Sequence, residues 1–402
     1  MKTYRIFVTL ILFVGLLVCA PMSQVRSEES KTTSSDVLLP ILKDGKWGFI
    51  NQTGRVVIEP KFAEVIDFSE GLSAAAVPQG DSVIWGYIDL SGQWKIKPKF
   101  EDASSFKEGL AAVKVLGKIR GWGYINKDDL MIIRPCFQGA LNFENSIAYV
   151  WFDDFQSGLI NKEGKEITSR RYKVYSTFHE GLARFFVVQW FTQSWIFGYL
   201  NESGKEVIKP EFLAAKDFYE DLAAVEIGQY VMGKYGWEPV GKFGFINKEG
   251  EFVIEPNFYN ALGFHNGIAP VAIMDGNKEK WGYIDKIGNF VIKPEFELAN
   301  SFSEDLAAVK INGKWGYIDL NGNIVIKPIY HGEKPFSEGL ARVILNSEKN
   351  EKWGCIDKTG KYVVEPIYDF IHEFKSGIAE VEIGNKIGYI DHTGKYIWEP
   401  TN

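Results

Sequence analysis

The 402-residue chain is expected to fold as an all-β tandem array of about ten units, each a three-stranded antiparallel meander. Three observations carry this expectation. A Trp-Gly pair recurs along the chain, fixed residue types follow it at fixed offsets, and the composition favours strands and turns. Gly is 40, Phe 29, Tyr 18 and Trp 12, against 5 Met. Aromatic side chains pack well on a pleated surface and Gly supplies turn geometry, so a helical protein is excluded as the main reading.

The repeat is the primary signal. Trp47-Gly48, Trp85-Gly86, Trp122-Gly123, Trp281-Gly282, Trp315-Gly316 and Trp353-Gly354 are full markers, and Ser157-Gly158, Phe197-Gly198, Phe243-Gly244 and Ile387-Gly388 are degenerate ones. These ten define units 1 to 10 in chain order, spaced by 34 to 46 residues. With the Trp position as zero, an aromatic usually stands at +2 and Ile at +3, as in Tyr283-Ile284. Position +4 is always Asn or Asp. Gly stands at +7 in nine of the ten units, with Asp129 the exception, and Pro at +13 in nine, with Arg170 the exception. Phe occupies +21 in all nine units long enough to contain it, from Phe68 to Phe374.

Each element follows from this order. The Ala-Ala-Val segment after the +21 Phe is the first strand, Trp-Gly-Tyr-Ile the second, and the Val-Ile stretch before the Pro the third. An Asx followed three residues later by Gly suits a type I turn between the second and third strands. Pro lacks an N–H for a ladder, so it should end the third strand, and the remaining connector should be pinned by its buried Phe. The Gly at +1 should admit a neighbouring ring or backbone where a Cβ would clash. The second strand is apolar on both faces, a need that only adjacent units can meet. Ten complete units with no strand left over favour an open, curved or superhelical stack, and a closed propeller-like ring is the alternative.

The motif Lys-Trp-Gly-Tyr-Ile-Asp-x-x-Gly, with its downstream Pro and Phe-Ser-Glu-Gly-Leu-Ala, resembles the bacterial WG-repeat family over roughly residues 37 to 400. The resemblance implies an exported or envelope-associated protein and brings no common biochemistry. Units 4 and 5 depart furthest from the pattern.

Residues 1–27 read as a signal peptide and 28–36 as a polar linker to the repeat domain at 37–402, degenerate and loop-extended around 149–243. Lys2 and Arg5 precede an apolar run from Ile6 to Ala20, too short for a membrane span of about 20 residues. Val25-Arg26-Ser27 suits cleavage, after which no stable transmembrane span remains. Lipidation at Cys19 is disfavoured by the bulky Val18 before it. The expected location is therefore periplasmic, cell-surface or secreted. Removing residues 1–27 takes away three basic and no acidic residues, so the net charge goes from −7 to −10. Such a surface repels phosphate and excludes nucleic acid as a partner. Cys136 and Cys355 stand at unrelated places in distant units and should be small core residues without a disulfide framework.

No constellation for catalysis emerges, and no cofactor is implied. The Asx row offers one ligand per unit where calcium needs six to eight oxygens, and it reads as turn chemistry. The Glu before the connector Gly (Glu70, Glu108, Glu180, Glu220, Glu304, Glu338) reads as a solvated turn residue with no acid partner at fixed spacing. His179 and His265 share a unit position, and no His has metal-ligand spacing. The protein is expected not to be an enzyme. The candidate ligand-binding residues lie in the long loops 186–197 and 228–242, namely Trp190, Phe191, Trp195, Tyr230, Tyr235 and Trp237. Exposed aromatics there would suit another protein or an envelope glycan. The expected function is a non-catalytic protein-binding or scaffolding module, with glycan or cell-wall binding as the alternative. Oligomeric state is not fixed by the sequence.

Overall fold

A computed structural model describes residues 37–401 apart from 118–120, 153–155, 169–171, 175–177, 190–193, 234–235 and 346–350; the expected signal peptide and linker lie outside the described residues. No helix occurs among the described residues, and none is long and apolar enough to cross a membrane.

Unit 2 shows the plan. Strands Leu72–Gln79, Ser82–Asp89 and Trp94–Ala103 form the expected meander, and the connector adds a fourth, short strand, Glu64–Val65, on the side of the first. Glu64 and Val65 pair with Ala76 and Ala75. The unit is thus four-stranded where the sequence predicts three, because the connector must satisfy its own backbone donors and acceptors as it crosses the packed layer. Units 5 to 10 repeat this four-stranded order. Units 2 and 3 share one seven-stranded sheet, since Trp94–Ala103 runs on into the short strand of unit 3. Unit 1 has three strands, as does unit 4, whose third strand shrinks to the single bridge Ile160 to Glu166.

The Asx turn forms as expected: Asn51 Oδ1 accepts the N–H of Thr53 at 3.1 Å and of Arg55 at 3.0 Å. The Pro acts otherwise than the sequence suggests. The third strand of unit 1, Val56–Phe62, runs straight through Pro60. In unit 2, Trp85 pairs with Phe100 and Tyr87 with Ile96, so three residues bulge opposite the single Gly86. Pro98 sits in that bulge, where no N–H is needed. The backbone of the bulge lies over Gly86, and a Cβ there would fall 2.5 Å from the Ile96 oxygen and 2.7 Å from the Pro98 nitrogen. The marker Gly therefore makes room for its own third strand.

Units pack face to face. The +2 Tyr and +11 Ile of one unit meet the Ala and +3 Ile of the next: Tyr87, Ile96 and Phe100 lie with Ala111, Val113 and Ile125 in one buried cluster. The +21 Phe completes it, with its ring 4.7 Å from Tyr87. Each such side chain contributes roughly 1.5–3 kcal/mol by leaving water. The Tyr hydroxyl ends in a hydrogen bond to the next connector, as from Tyr87 to the Ser104 carbonyl at 2.8 Å.

The same interface joins the two ends of the array. Tyr389 of unit 10 packs with Ile41 and Ile50 of unit 1, and its hydroxyl donates to the Pro40 carbonyl at 2.7 Å. Elsewhere the equivalent carbonyl accepts a connector N–H, as Ala74 does from Ile66 at 2.9 Å. Thr401 Oγ1 donates to the Leu42 carbonyl at 2.6 Å, and Gly54 sits against the Ile397 carbonyl as Gly204 sits against that of Ile167. No single sheet closes into a barrel, but the array does close. Of the two arrangements, the contacts of the ends select the ring, where the sequence favours the open stack.

The Glu row is not simply solvated. Each Glu has φ near +50° and reaches the connector turn of the following unit. Glu70 accepts the Gly109 N–H at 3.2 Å, Glu108 that of Ser146 at 2.9 Å and Glu338 that of Gly377 at 2.8 Å. The same carboxylates pair with the +5 residue of that unit: Lys127 at 3.0 Å, Lys162 at 2.9 Å and His392 at 3.0 Å. Glu180 with Lys248, Glu220 with Lys286 and Glu304 with Lys358 complete six such clasps. Where Asn145, Asn266 or Ser376 replaces the Glu, the following unit carries Glu202, Leu320 or Gln52 at +5. Cys355 is buried as expected, whereas Cys136 is exposed, because it follows the bulged Pro135 on the solvent side of its strand.

Candidate binding surface

In units 1, 2, 7, 8 and 10 the first and second strands are joined by two-residue turns such as Gly80-Asp81 and Gly276-Asn277. The sequence predicts long loops in units 5 and 6. Apart from 190–193 and 234–235, which lie outside the described residues, their segments 186–197 and 228–242 are continuations of the ladder. Unit 5 pairs Leu182–Gln189 with Ser194–Asn201, and unit 6 pairs Ala223–Gly233 with Gly236–Ile246 over 11 residues each. Alternating β-branched and aromatic residues (Val187, Val188, Ile196, Tyr230, Val231) favour that extension. The Gly228–Gly241 pair lets the two backbones approach so closely that a Cβ on residue 228 would fall 2.5 Å from Gly241 Cα.

The two hairpins touch each other. The Tyr230 hydroxyl donates to the Trp195 carbonyl at 3.0 Å. Trp195 stacks on Phe186 at 5.0 Å and 29°, yet half of it (50%) stays in water. Met232 is 66% exposed, and Val188 and Val240 on these hairpins are exposed too. Of the six residues singled out by sequence, Trp195 and Tyr230 are thus brought together. Trp237 lies on the second hairpin strand opposite Met232. Trp190, Phe191 and Tyr235 lie outside the described residues.

Two further groups come together on the connectors. His179, Tyr219 and His265, all at +22, form a row with ring centroids 5.2 and 4.7 Å apart. Burial depresses the proton affinity of His265, opposed by the charge of Glu220. Beside the row, Arg184 holds Asp217 through two hydrogen bonds of 2.7 and 3.0 Å. In unit 10, His372 meets Glu382 at 2.8 Å and Glu380 at 3.6 Å. Sequence spacing missed this second group, although its signal was available: aligning the units puts Glu380 where units 2, 3, 6 and 8 carry Ala.

A family model described as "WG containing repeat" matches residues 47–77, 85–118, 122–151, 158–187, 197–235, 243–277, 281–315, 315–348 and 353–386. No curated protein matches the chain. Among solved structures, a eukaryotic initiation factor is 10% identical over 90% of this chain and 99% of that one, with a TM-score of 0.48. The acylaminoacyl peptidase of Pyrococcus horikoshii is 9% identical over 74% of this chain and 52% of that one, with a TM-score of 0.36. TolB from Acinetobacter baumannii is 11% identical over 72% and 78%, with a TM-score of 0.31.

Proposed function

The chain belongs to the WG-containing repeat family, and from that premise we propose that it is an exported, non-catalytic binding protein of the cell envelope or exterior. In this reading it holds another protein on the paired hairpins of units 5 and 6. One observation carries the reading: the paired hairpins of units 5 and 6 place Trp195, Met232, Val188 and Val240 in water. A half-exposed Trp on a hydrogen-bonded scaffold is the kind of anchor that costs about 2 kcal/mol or more when truncated at an interface. Its strand setting limits the entropy lost on binding. The acidic residues at the repeat positions support a non-catalytic role, since the Asx groups bond their own turns and the Glu groups bond the next unit.

The test uses the whole protein with Trp195→Ala and Met232→Ser, both at exposed positions. Cross-linking and capture from envelope extracts should enrich a defined partner with the wild type and at least about tenfold less with the double variant. Equal capture by both would remove the hairpins as the surface. The exposed Trp195 ring also suits a sugar face. A change in tryptophan fluorescence with peptidoglycan fragments, lost in the variant, would replace the protein partner by a glycan.

A further inference from the structure

The ten units allow each position to be compared with its equivalents, and unit 10 breaks the pattern at one spot. Strand Ile378–Ile383 pairs with Lys386–Asp391, placing Glu380 opposite Tyr389 and Glu382 opposite Ile387. The residue opposite +2 elsewhere is Pro, Ala, Tyr or Arg and never an acid; unit 10 alone carries carboxylates at both places. His372, whose N–H donates to the Glu380 carbonyl, is the one imidazole at its connector position among the described residues. Three departures that converge on one point are not explained by the repeat.

We propose that His372, Glu380 and Glu382 form a site for a zinc-type divalent cation, one imidazole and two carboxylates with a position left for water. The ligand atoms lie within 4.8 Å of one another, and the His372 Nε2 is 2.8 Å from Glu382 Oε1 and 3.6 Å from Glu380 Oε1. Tetrahedral zinc with bonds near 2.0–2.1 Å holds its ligand atoms about 3.3 Å apart, so small side-chain shifts suffice. Among the described residues neither carboxylate forms an ion pair with Lys or Arg, which leaves two negative charges facing one imidazole. The nitrogen donor and low ligand count favour zinc over calcium or magnesium, which prefer all-oxygen shells of six or more.

The ligands are also held from behind. The Tyr389 hydroxyl lies 3.0 Å from Glu380 Oε2 while it reaches the Pro40 carbonyl of unit 1. Phe370 packs edge-on against the His372 ring at 4.8 Å. A bound cation would therefore tighten the seam where the ring closes, through Glu380 and Tyr389. The side chains remain 31–46% exposed, so an ion can enter from solvent.

The untagged protein, stripped with chelator, is titrated with Zn²⁺, Ca²⁺ and Mg²⁺ by calorimetry, and its thermal midpoint is followed in each. One Zn²⁺ per chain should bind and raise the midpoint, with Ca²⁺ and Mg²⁺ inert. His372→Ala and Glu382→Gln should each weaken binding at least about tenfold, while His331→Ala, away from the cluster, should bind as wild type. Glu382→Gln is nearly isosteric, so it keeps the test decisive if the His372 variant folds poorly. Absence of saturable Zn²⁺ binding, or unchanged binding in both ligand variants, would overturn the site and leave a surface ion pair.

Discussion

Replacing Gly86 by Ala tests the account of the Trp-Gly marker. The added methyl would sit 2.5 Å from the Ile96 oxygen, 2.7 Å from the Pro98 nitrogen and 2.9 Å from the Lys97 carbonyl carbon, all of them backbone. None can swing aside as a side chain could. Relief requires the bulge to lift, which pulls on the pairs Trp85 with Phe100 and Tyr87 with Ile96. Overpacking costs typically 1–3 kcal/mol, and a clash with three backbone atoms of one bulge belongs at the upper end, about 3 kcal/mol. The comparison is Gly158→Ala, at the same position in the unit that lacks the Pro. Its methyl would meet only side chains, Thr168 Oγ1 at 2.9 Å and the Phe152 ring at 3.2 Å, and should cost about 1 kcal/mol. Urea unfolding followed by tryptophan fluorescence measures both. If Gly86→Ala is no more destabilised than Gly158→Ala, the marker glycine is not there to admit the bulge.

Two further outcomes follow from the joints between units. Tyr389→Phe leaves the Pro40 carbonyl without its donor and should cost about 1–3 kcal/mol. Amide exchange should then rise in Leu38–Lys43, which Tyr87→Phe should leave unchanged; no change in that strand would refute closure through Tyr389. The clasps should appear in acid. Burial works against the charged forms of Glu108 and Glu338, but hydrogen bonds outweigh it. They come from Lys162 and the backbone for Glu108, and from the Gly377 and Ser376 N–H groups with His392 for Glu338, and both carboxyls lie below the usual range. A depressed carboxyl pKa stabilises the fold above the unfolded value of about 4.3, and that contribution disappears as pH falls through the folded value. Thermal midpoints from pH 7 to 3 should fall less steeply in Glu108→Gln and Glu338→Gln than in wild type, and parallel curves would show the clasps to be inert.

Much of the unit was legible because it is local. Asn51, Gly54 and Phe68 announce a turn, a left-handed residue and a pinned connector within 21 residues of Trp47, and local geometry delivers them. Pro60 was misread because a Pro that ends a strand and a Pro that sits in a bulge differ only in what lies opposite, here Gly48 across the sheet. The clasps were half visible: the Glu residues stood out, while their partners lie in the next unit at +5. Ring closure depends on Tyr389 meeting Pro40 across nearly the whole chain, a pairing that no local spacing encodes. At the candidate surface, Trp195 and Tyr230 stood out by type, whereas their hydrogen bond joins two hairpins of separate units.

The clasps divide the chain into groups of three units. They join units 2 to 4, 5 to 7 and 8 to 10, and they lapse at the boundaries between these triplets. The connector into the third member of each triplet carries Ile147, Ile268 or Ile378, where the connectors into the first two members carry Leu, from Leu72 to Leu340. Units 4 and 5 are therefore not one continuous stretch, because a triplet boundary, where no clasp forms among the described residues, runs between them.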